Sequence, residues 1–221
     1  MHLSEAVLAT SDAGRIVLGA GIVLAAAGTA IGLRKLDYER MPRVAVLSSA
    51  FFVVSLIHFP IGGTSVHLVL NGLMGLILGW AALPAILIAL VLQAVLFQFG
   101  GLLAVGVNTV TMGLPAVVCY HLFHRAAADR RPGVALGAAV AAGAVGVMLA
   151  AVLCAAALYA AGEDLERLGQ LVIVASLPVA AIDAIVTGNA VMFLRKVRPE
   201  MLDAPLAVPT RAEMPHGCLP D

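Results

Sequence analysis

Apolar runs long enough to cross a bilayer recur along almost the whole chain, and nothing else limits its fold as strongly. They cover approximately residues 14–34, 44–58, 65–79, 84–98, 106–124, 134–161 and 168–194. A hydrocarbon core of ~30 Å takes about 20 helical residues to cross, and within it every backbone N–H and C=O must find a partner inside the protein. Only helices and closed barrels meet that demand. The runs are rich in Ala, Leu and Gly and lack the alternation over ~10 residues that marks a barrel strand. The expected fold is therefore all-α, a polytopic transmembrane bundle of about seven helices. Composition agrees, because 62% of the 221 residues are hydrophobic and 12% are charged, about half the ~25% charged share of a soluble domain.

The loops sort by charge. Arg34, Lys35, Arg40 and Arg43 fall in one, Arg125, Arg130 and Arg131 in another, and Arg195, Lys196, Arg198 and Arg211 follow the last run. Basic residues flank membrane helices on the cytoplasmic side, so these are expected inside. Only Arg15 and Arg167 remain for the other face, with Glu5, Asp12, Glu163, Asp164 and Glu166. An odd number of spans, with the N-terminus outside and the C-terminus cytoplasmic, satisfies every loop. The run 65–79 is short and carries Asn71, and the turn near Trp80 and Pro84 has no charge to orient it. A re-entrant pair is the alternative reading of 65–79 and 84–98. The first run has Glu5 and Asp12 and no basic residue before Arg15, the wrong charge for a cleaved signal, so Met1 is expected to stay.

The domain reading is a transmembrane unit over 1–202 and a flexible cytoplasmic tail over 203–221, where Pro205, Pro209, Pro215 and Pro220 oppose a helix. Thirteen basic and thirteen acidic residues leave no net charge, and nothing suggests a nucleic-acid partner. Cys119, Cys154 and Cys218 lie far apart without metal-ligand spacing and read as apolar fillers or tail residues. Small residues at Gly19, Gly21, Ala25, Gly28 and Gly32, and through 134–152, allow helices to approach closely.

Polar side chains gather at the expected external ends: His2, the segment from His58 to His67, and the segment from Gln98 to Thr111. Ionisable groups at or within the membrane are costly and so mark functional candidates. A terminal amine, the backbone nitrogen of His2 and the His2 imidazole form adjacent small chelate rings that can grip one metal ion. Such nitrogens bind only once deprotonated, and a planar all-nitrogen set suits Ni²⁺ or Cu²⁺. A fourth donor must come from elsewhere in the fold, with His67 and His58 as the competing choices. No GxxxxGK[ST] loop is present, so the chain does not itself use ATP.

The segment from His58 through Pro60, Gly62, Gly63, Thr64, Ser65, His67 and Asn71 to Gly75 resembles the signature of the CbiM/NikM family. This family comprises the substrate-binding (S) components of cobalt and nickel energy-coupling-factor (ECF) importers. Phe97-Gln98-Phe99-Gly100-Gly101 with Gly106-Val107-Asn108-Thr109, and Thr187-Gly188 with the stretch from Phe193 to Leu202, match further motifs of the family in order. The resemblance implies metal ligation by the Met1 amine, the backbone nitrogen and imidazole of His2, and His67. It places Asn71, Gln98, Asn108 and Thr109 as candidates for orienting the ligands or lining the way in, with His58 and Ser65 as further candidates beside them; Asp183, an intramembrane carboxylate of the last run, reads first as hydrogen-bonded within the bundle and otherwise as a coupling or proton-linked residue. Implied too are a transmembrane coupling (T) protein, a cytoplasmic ATPase pair, a small accessory membrane subunit, a place in the bacterial cytoplasmic (inner) membrane, and Co²⁺ or Ni²⁺ as transported substrate with no organic cofactor. The pattern is closer to the cobalt branch, so cobalt is expected ahead of nickel. Two positions depart from the family: Ala6 follows Glu5, and Ala184 follows Asp183, where an acidic residue is usually followed by Gly.

Two other classes fit the composition. An intramembrane enzyme would need HExxH-like ligands or a set of acidic residues, and the sequence has neither. A non-transporting membrane scaffold is compatible with the small-residue faces.

Overall fold

The computed structural model describes residues 2–61, 64–162 and 165–202, with the backbone alone for 58–61 and 64–66. The expectations for Met1, Gly62, Gly63, Glu163, Asp164, Cys218 and the tail lie outside the described residues.

A short strand, β1 (His2–Leu3), leads into a one-turn helix, α1 (Glu5–Leu8), and then the first long helix, α2 (Asp12–Arg34). Ser11 fixes where α2 begins: its hydroxyl accepts from the Gly14 N–H at 2.9 Å and donates to the Ala161 carbonyl at 2.6 Å, which satisfies an otherwise orphaned helix donor. Next come α3 (Met41–Ser55), strands β2 (His58–Ile61) and β3 (Thr64–His67), and helices α4 (Asn71–Leu78) and α5 (Ala82–Phe97). The chain ends in three long helices, α6 (Val105–Ala127), α7 (Pro132–Ala161) and α8 (Glu166–Val197). Among the described residues, 12–34, 71–97, 105–127, 132–161 and 166–197 are long and apolar enough to cross a membrane. This is a helical membrane protein.

The expected run 65–79 is not one helix. Its first residues form β3, 68–70 are irregular, and α4 has only eight residues, or ~12 Å of rise. The segment still passes from one end of the bundle to the other, because β3 supplies extended length. It ends at a sharp turn, Gly79–Ala81, where Gly79 takes φ +55°. All eight residues of α4 are buried. Such a short helix is tolerated because protein rather than lipid surrounds it.

Small residues do pack the bundle. A Cβ at Gly143 would stand 2.7 Å from the Cα of Ala184 and the carbonyl oxygen of Asp183, and a side chain at Gly72 would strike the backbone of Ala142. These two glycines let α4, α7 and α8 meet backbone to backbone. Gly19 is the exception within α2, since nothing lies within 4 Å of its Cβ position. Cys119 and Cys154 are buried and form no disulfide with each other.

The bundle has two unlike ends. At one, β1 and β2 both pair antiparallel with β3, giving the sheet order β1-β3-β2. At the other lie the Lys35 ammonium, 4.4 Å over the Trp80 ring, Arg43 donating to the Glu200 carbonyl at 3.1 Å, and Arg195 donating to the Ala127 carbonyl at 3.0 Å. Every described basic residue that was expected to be cytoplasmic gathers at this second end, while Arg15 and Arg167 sit at the starts of α2 and α8, at the sheet end.

Candidate metal centre

The sheet brings His2 and His67 together. In register, His2 lies opposite Ser65, and His67 is two residues further along β3, so His2 and His67 emerge on the same face of the sheet. Their rings stack with centroids 4.6 Å apart at an interplanar angle of 28°. Both residues are buried, His2 at 4% and His67 at 1% exposure. Phe99 closes one side, its ring centroid 6.0 Å from that of His2.

The two histidines are anchored through different elements. The Nδ1 of His67 lies 2.8 Å from the Leu68 carbonyl oxygen. A carbonyl only accepts, so Nδ1 carries the proton and the neutral ring presents its lone pair on Nε2. Beyond Leu68 the backbone turns through Leu70, a non-glycine residue at φ +52°. The fully buried Asp183 carboxylate secures this turn, since one of its oxygens accepts the N–H of Leu70 at 2.8 Å and of Val69 at 3.3 Å while the other accepts the Thr187 hydroxyl at 3.1 Å. Asp183 thus ties α8 to the strap that follows His67.

The N-terminal strand is clipped just as firmly. The Leu3 N–H donates to the Asn108 side-chain oxygen at 2.8 Å, and the Asn108 amide returns a hydrogen bond to the Leu3 carbonyl at 3.0 Å. Two residues on, the Glu5 N–H donates to the Gly100 carbonyl at 2.7 Å and the Glu5 carboxylate accepts from the Leu103 N–H at 2.8 Å. Gly100 and Gly101 take φ +74° and +86°, and a Cβ on Gly100 would press within 2.8 Å of the Asn108 amide. Only glycine gives both that backbone and that clearance. Ala6, the departure noted in the sequence, lies inside α1, where no positive φ is called for.

The other candidates spread out. His58 pairs with His67 in strand register, and Ser65 with His2, but their side chains lie outside the described residues. Asn71 opens α4, is fully buried, and neither polar atom of its amide has a hydrogen-bond partner among the described residues. Thr109 is buried but donates back to the Val105 carbonyl of its own helix at 2.8 Å. Gln98 is exposed, caps α5 at φ +57°, and borders an outer cleft beside Ser4, Glu5 and Ala6. The sequence reading did not pick out Leu68, Phe99 or the Glu5 clamp as parts of the site. Phe99 stood inside a quoted motif and Glu5 was noted only for its charge; a backbone carbonyl carries no sequence signal.

Among the described residues, no three His, Cys, Asp or Glu side chains converge.

Fold and site together define a polytopic helical membrane protein with a buried histidine pair beneath a small sheet at one end. The chain belongs to the CbiM family, described as the cobalt uptake substrate-specific transmembrane region, which matches residues 2–201. A Haemophilus influenzae protein with a provisional metal-transport name is 43% identical over 208 residues, covering 92% of this chain and 97% of the relative. The cobalt transport protein CbiM of Sorangium cellulosum is 29% identical, covering 92% and 95%. The fused nickel transport protein NikMN of Rhodobacter capsulatus is 33% identical, covering 83% of this chain and 59% of that longer protein. A solved transition metal transporter superposes with a TM-score of 0.73 at 27% identity, covering 89% of this chain and 93% of that structure.

Proposed function

We propose that this chain is the substrate-binding S component of an ECF importer for Co²⁺ or Ni²⁺, and that the ion is held by the Met1 amine, the His2 backbone nitrogen, the His2 imidazole and His67. The observation that carries the reading is the buried His2–His67 pair, clipped from two sides by Asn108 and Asp183. In a square set, a chelating amine, amide and imidazole take three consecutive corners, so the fourth donor is a neighbour of the His2 ring. Two adjacent nitrogens, each ~2 Å from one ion, place their ring centres roughly 4.5 Å apart, close to the 4.6 Å between His2 and His67. Asn108 and Asp183 then act as the outer groups that fix ligand orientation, with Asn71, Thr109, His58, Ser65 and Gln98 as the wider surround.

Family membership supports the transport role, and the relatives' names support both metals; cobalt remains our preference. A T protein, an ATPase pair and an accessory subunit would supply the energy this chain lacks. Their motion would draw β1 away from β3, separate His2 from His67, and release the ion toward the basic, cytoplasmic end. The N-terminus would face outside, the membrane would be the cytoplasmic one, and 1–202 would form the working domain with 203–221 as its tail.

The test is equilibrium binding of Co²⁺ and Ni²⁺ to the purified chain in detergent, with the native start and with a few residues added before Met1. One ion per chain, lost on extension and lost in His67→Ala, is the expected result. Binding that survives both changes would overturn the ligand set, and the tighter ion names the substrate.

A further inference from the structure

The basic end carries a second feature, unrelated to the histidine pair. A narrow cleft there is lined by Lys35, Arg40, Arg43, Trp80 and Tyr120, with no acidic side chain in its wall. Asp37 and Glu39 belong to the same loop yet do not line it. Its interior of about 30 Å³ admits a water or two, and so an oxygen of a phosphate seated at its mouth. The Arg40 side chain makes no hydrogen bond or ion pair among the described residues, while Lys35 is held over Trp80 and Arg43 reaches a main-chain carbonyl. Among the described residues no carboxylate forms an ion pair with any of the three cations, and Glu200 comes near enough only to feel the charge of Arg43.

From this cleft an apolar groove of about 400 Å³ descends between α2, α3 and α5, sharing Leu36 and Val44 with it. Although α2 and α3 are consecutive, they hardly touch. Leu33, Met41, Phe52, Val53, Ile88 and Leu92 line the groove, and most of them are exposed. Its two hydroxyls are already satisfied, Ser48 by the Ala85 carbonyl at 2.8 Å and Ser49 by the Ala45 carbonyl at 2.9 Å. From Met41 to Val53 it runs ~18 Å along α3, comparable with one leaflet, half of a ~30 Å core.

We propose that the Lys35–Arg40–Arg43 cleft and the groove below it bind one anionic phospholipid, with the phosphate at the cations and an acyl chain along α3. Size argues against a protein helix in the groove: with side chains it is ~10 Å across, and over 18 Å it would need well over ~1000 Å³. Charge argues for an anionic headgroup, since a basic pocket between membrane helices at the headgroup level binds acidic lipids, and Trp80, packed beneath Lys35 at the basic end of the bundle, is the kind of ring enriched at membrane–water interfaces. The proposal rests on the membrane-spanning fold and is independent of the metal site.

The experiment is thermal unfolding of the delipidated chain in mild detergent, with dioleoyl phosphatidylglycerol or dioleoyl phosphatidylcholine added as mixed micelles. Phosphatidylglycerol should raise the midpoint by roughly 4 °C at saturation and phosphatidylcholine by much less. Lys35→Gln/Arg40→Gln should abolish the difference, as should Ala45→Trp, which fills the groove. Arg130→Gln/Arg131→Gln removes the same charge at the same end and should leave it intact. Equal shifts with both lipids, equal loss in the Arg130/Arg131 control, or the same shift with inorganic phosphate alone would overturn the proposal. The last outcome would mean a bare anion site, and a shift obtained only with an added membrane protein would mean a protein surface.

Discussion

The two ends of the bundle are built on opposite plans. At the sheet end, backbone is fastened by side chains from distant helices: Asn108 of α6 clips Leu3, and Asp183 of α8 clips Val69 and Leu70. At the basic end, long cations lie over an aromatic ring or reach main-chain carbonyls around open clefts. A site that must choose one ion needs its ligands held to fractions of an ångström, and buried, fully satisfied hydrogen bonds supply that rigidity. A face that meets headgroups or partners works through charge, which tolerates looser geometry. On the proposed function, the difference separates where the ion is selected from where contact with the surroundings is made.

Removing either proposed ligand should break that contrast most sharply. His2→Ala or His67→Ala is expected to weaken Co²⁺ and Ni²⁺ binding by at least about a hundredfold, whereas Lys35→Gln/Arg40→Gln should change it by less than about twofold; calorimetric titration of the detergent-solubilised chain measures both. A basic-end variant as damaging as His67→Ala would erase the division of labour. Asn108→Ala comes next. It leaves the Leu3 N–H and carbonyl buried without their partner, at about 1–3 kcal/mol for a stranded group, and should lower affinity some 10- to 100-fold while the overall helix content, read by circular dichroism, is preserved.

Asp183 sharpens the comparison further, because it acts on His67 without touching it. Asp183→Asn keeps an oxygen for Leu70 but loses the charge that strengthens both backbone bonds. About 1–2 kcal/mol of stability should be lost, with metal affinity falling several-fold. If Asp183 were a coupling residue alone, binding to the isolated chain would be unchanged and only uptake in the assembled importer would drop. The two readouts tell positioning from coupling.

What was legible beforehand follows from which forces are written locally. Hydropathy fixed where six of the seven long segments lie to within a few residues, because in a bilayer each span must be apolar by itself. The exception, 65–79, shows the limit: a run apolar enough for a helix became β3 plus a short α4, since β1 and β2 supplied backbone partners that no local signal announces. Basic residues sorted to one end as expected, a rule that reads loop by loop. At the site, His2, His67 and Asn108 stood out through motif resemblance, and the structure places all three together. The roles of Leu68, Phe99 and Glu5 depended on tertiary register, as did the anchoring by Asp183, whose partners are backbone N–H groups on a strap more than 100 residues away.

Gln98 tests how far the motif itself can be trusted. It sits in the quoted stretch Phe97–Gly101, which suggested a side chain close to the ligands, yet it is exposed and its backbone is left-handed at φ +57°. A left-handed turn at this point is what brings Phe99 onto His2 and Gly100 under Leu3, so the position matters through its backbone. Glycine adopts that conformation without the Cβ penalty, at a cost only in unfolded-state entropy. Gln98→Gly should accordingly keep metal affinity within about twofold and leave the unfolding midpoint nearly unchanged. A tenfold loss of affinity with an unchanged midpoint would instead put the Gln98 amide on the path of the ion, and would make the outer cleft it shares with Ser4 and Glu5 part of the selective end.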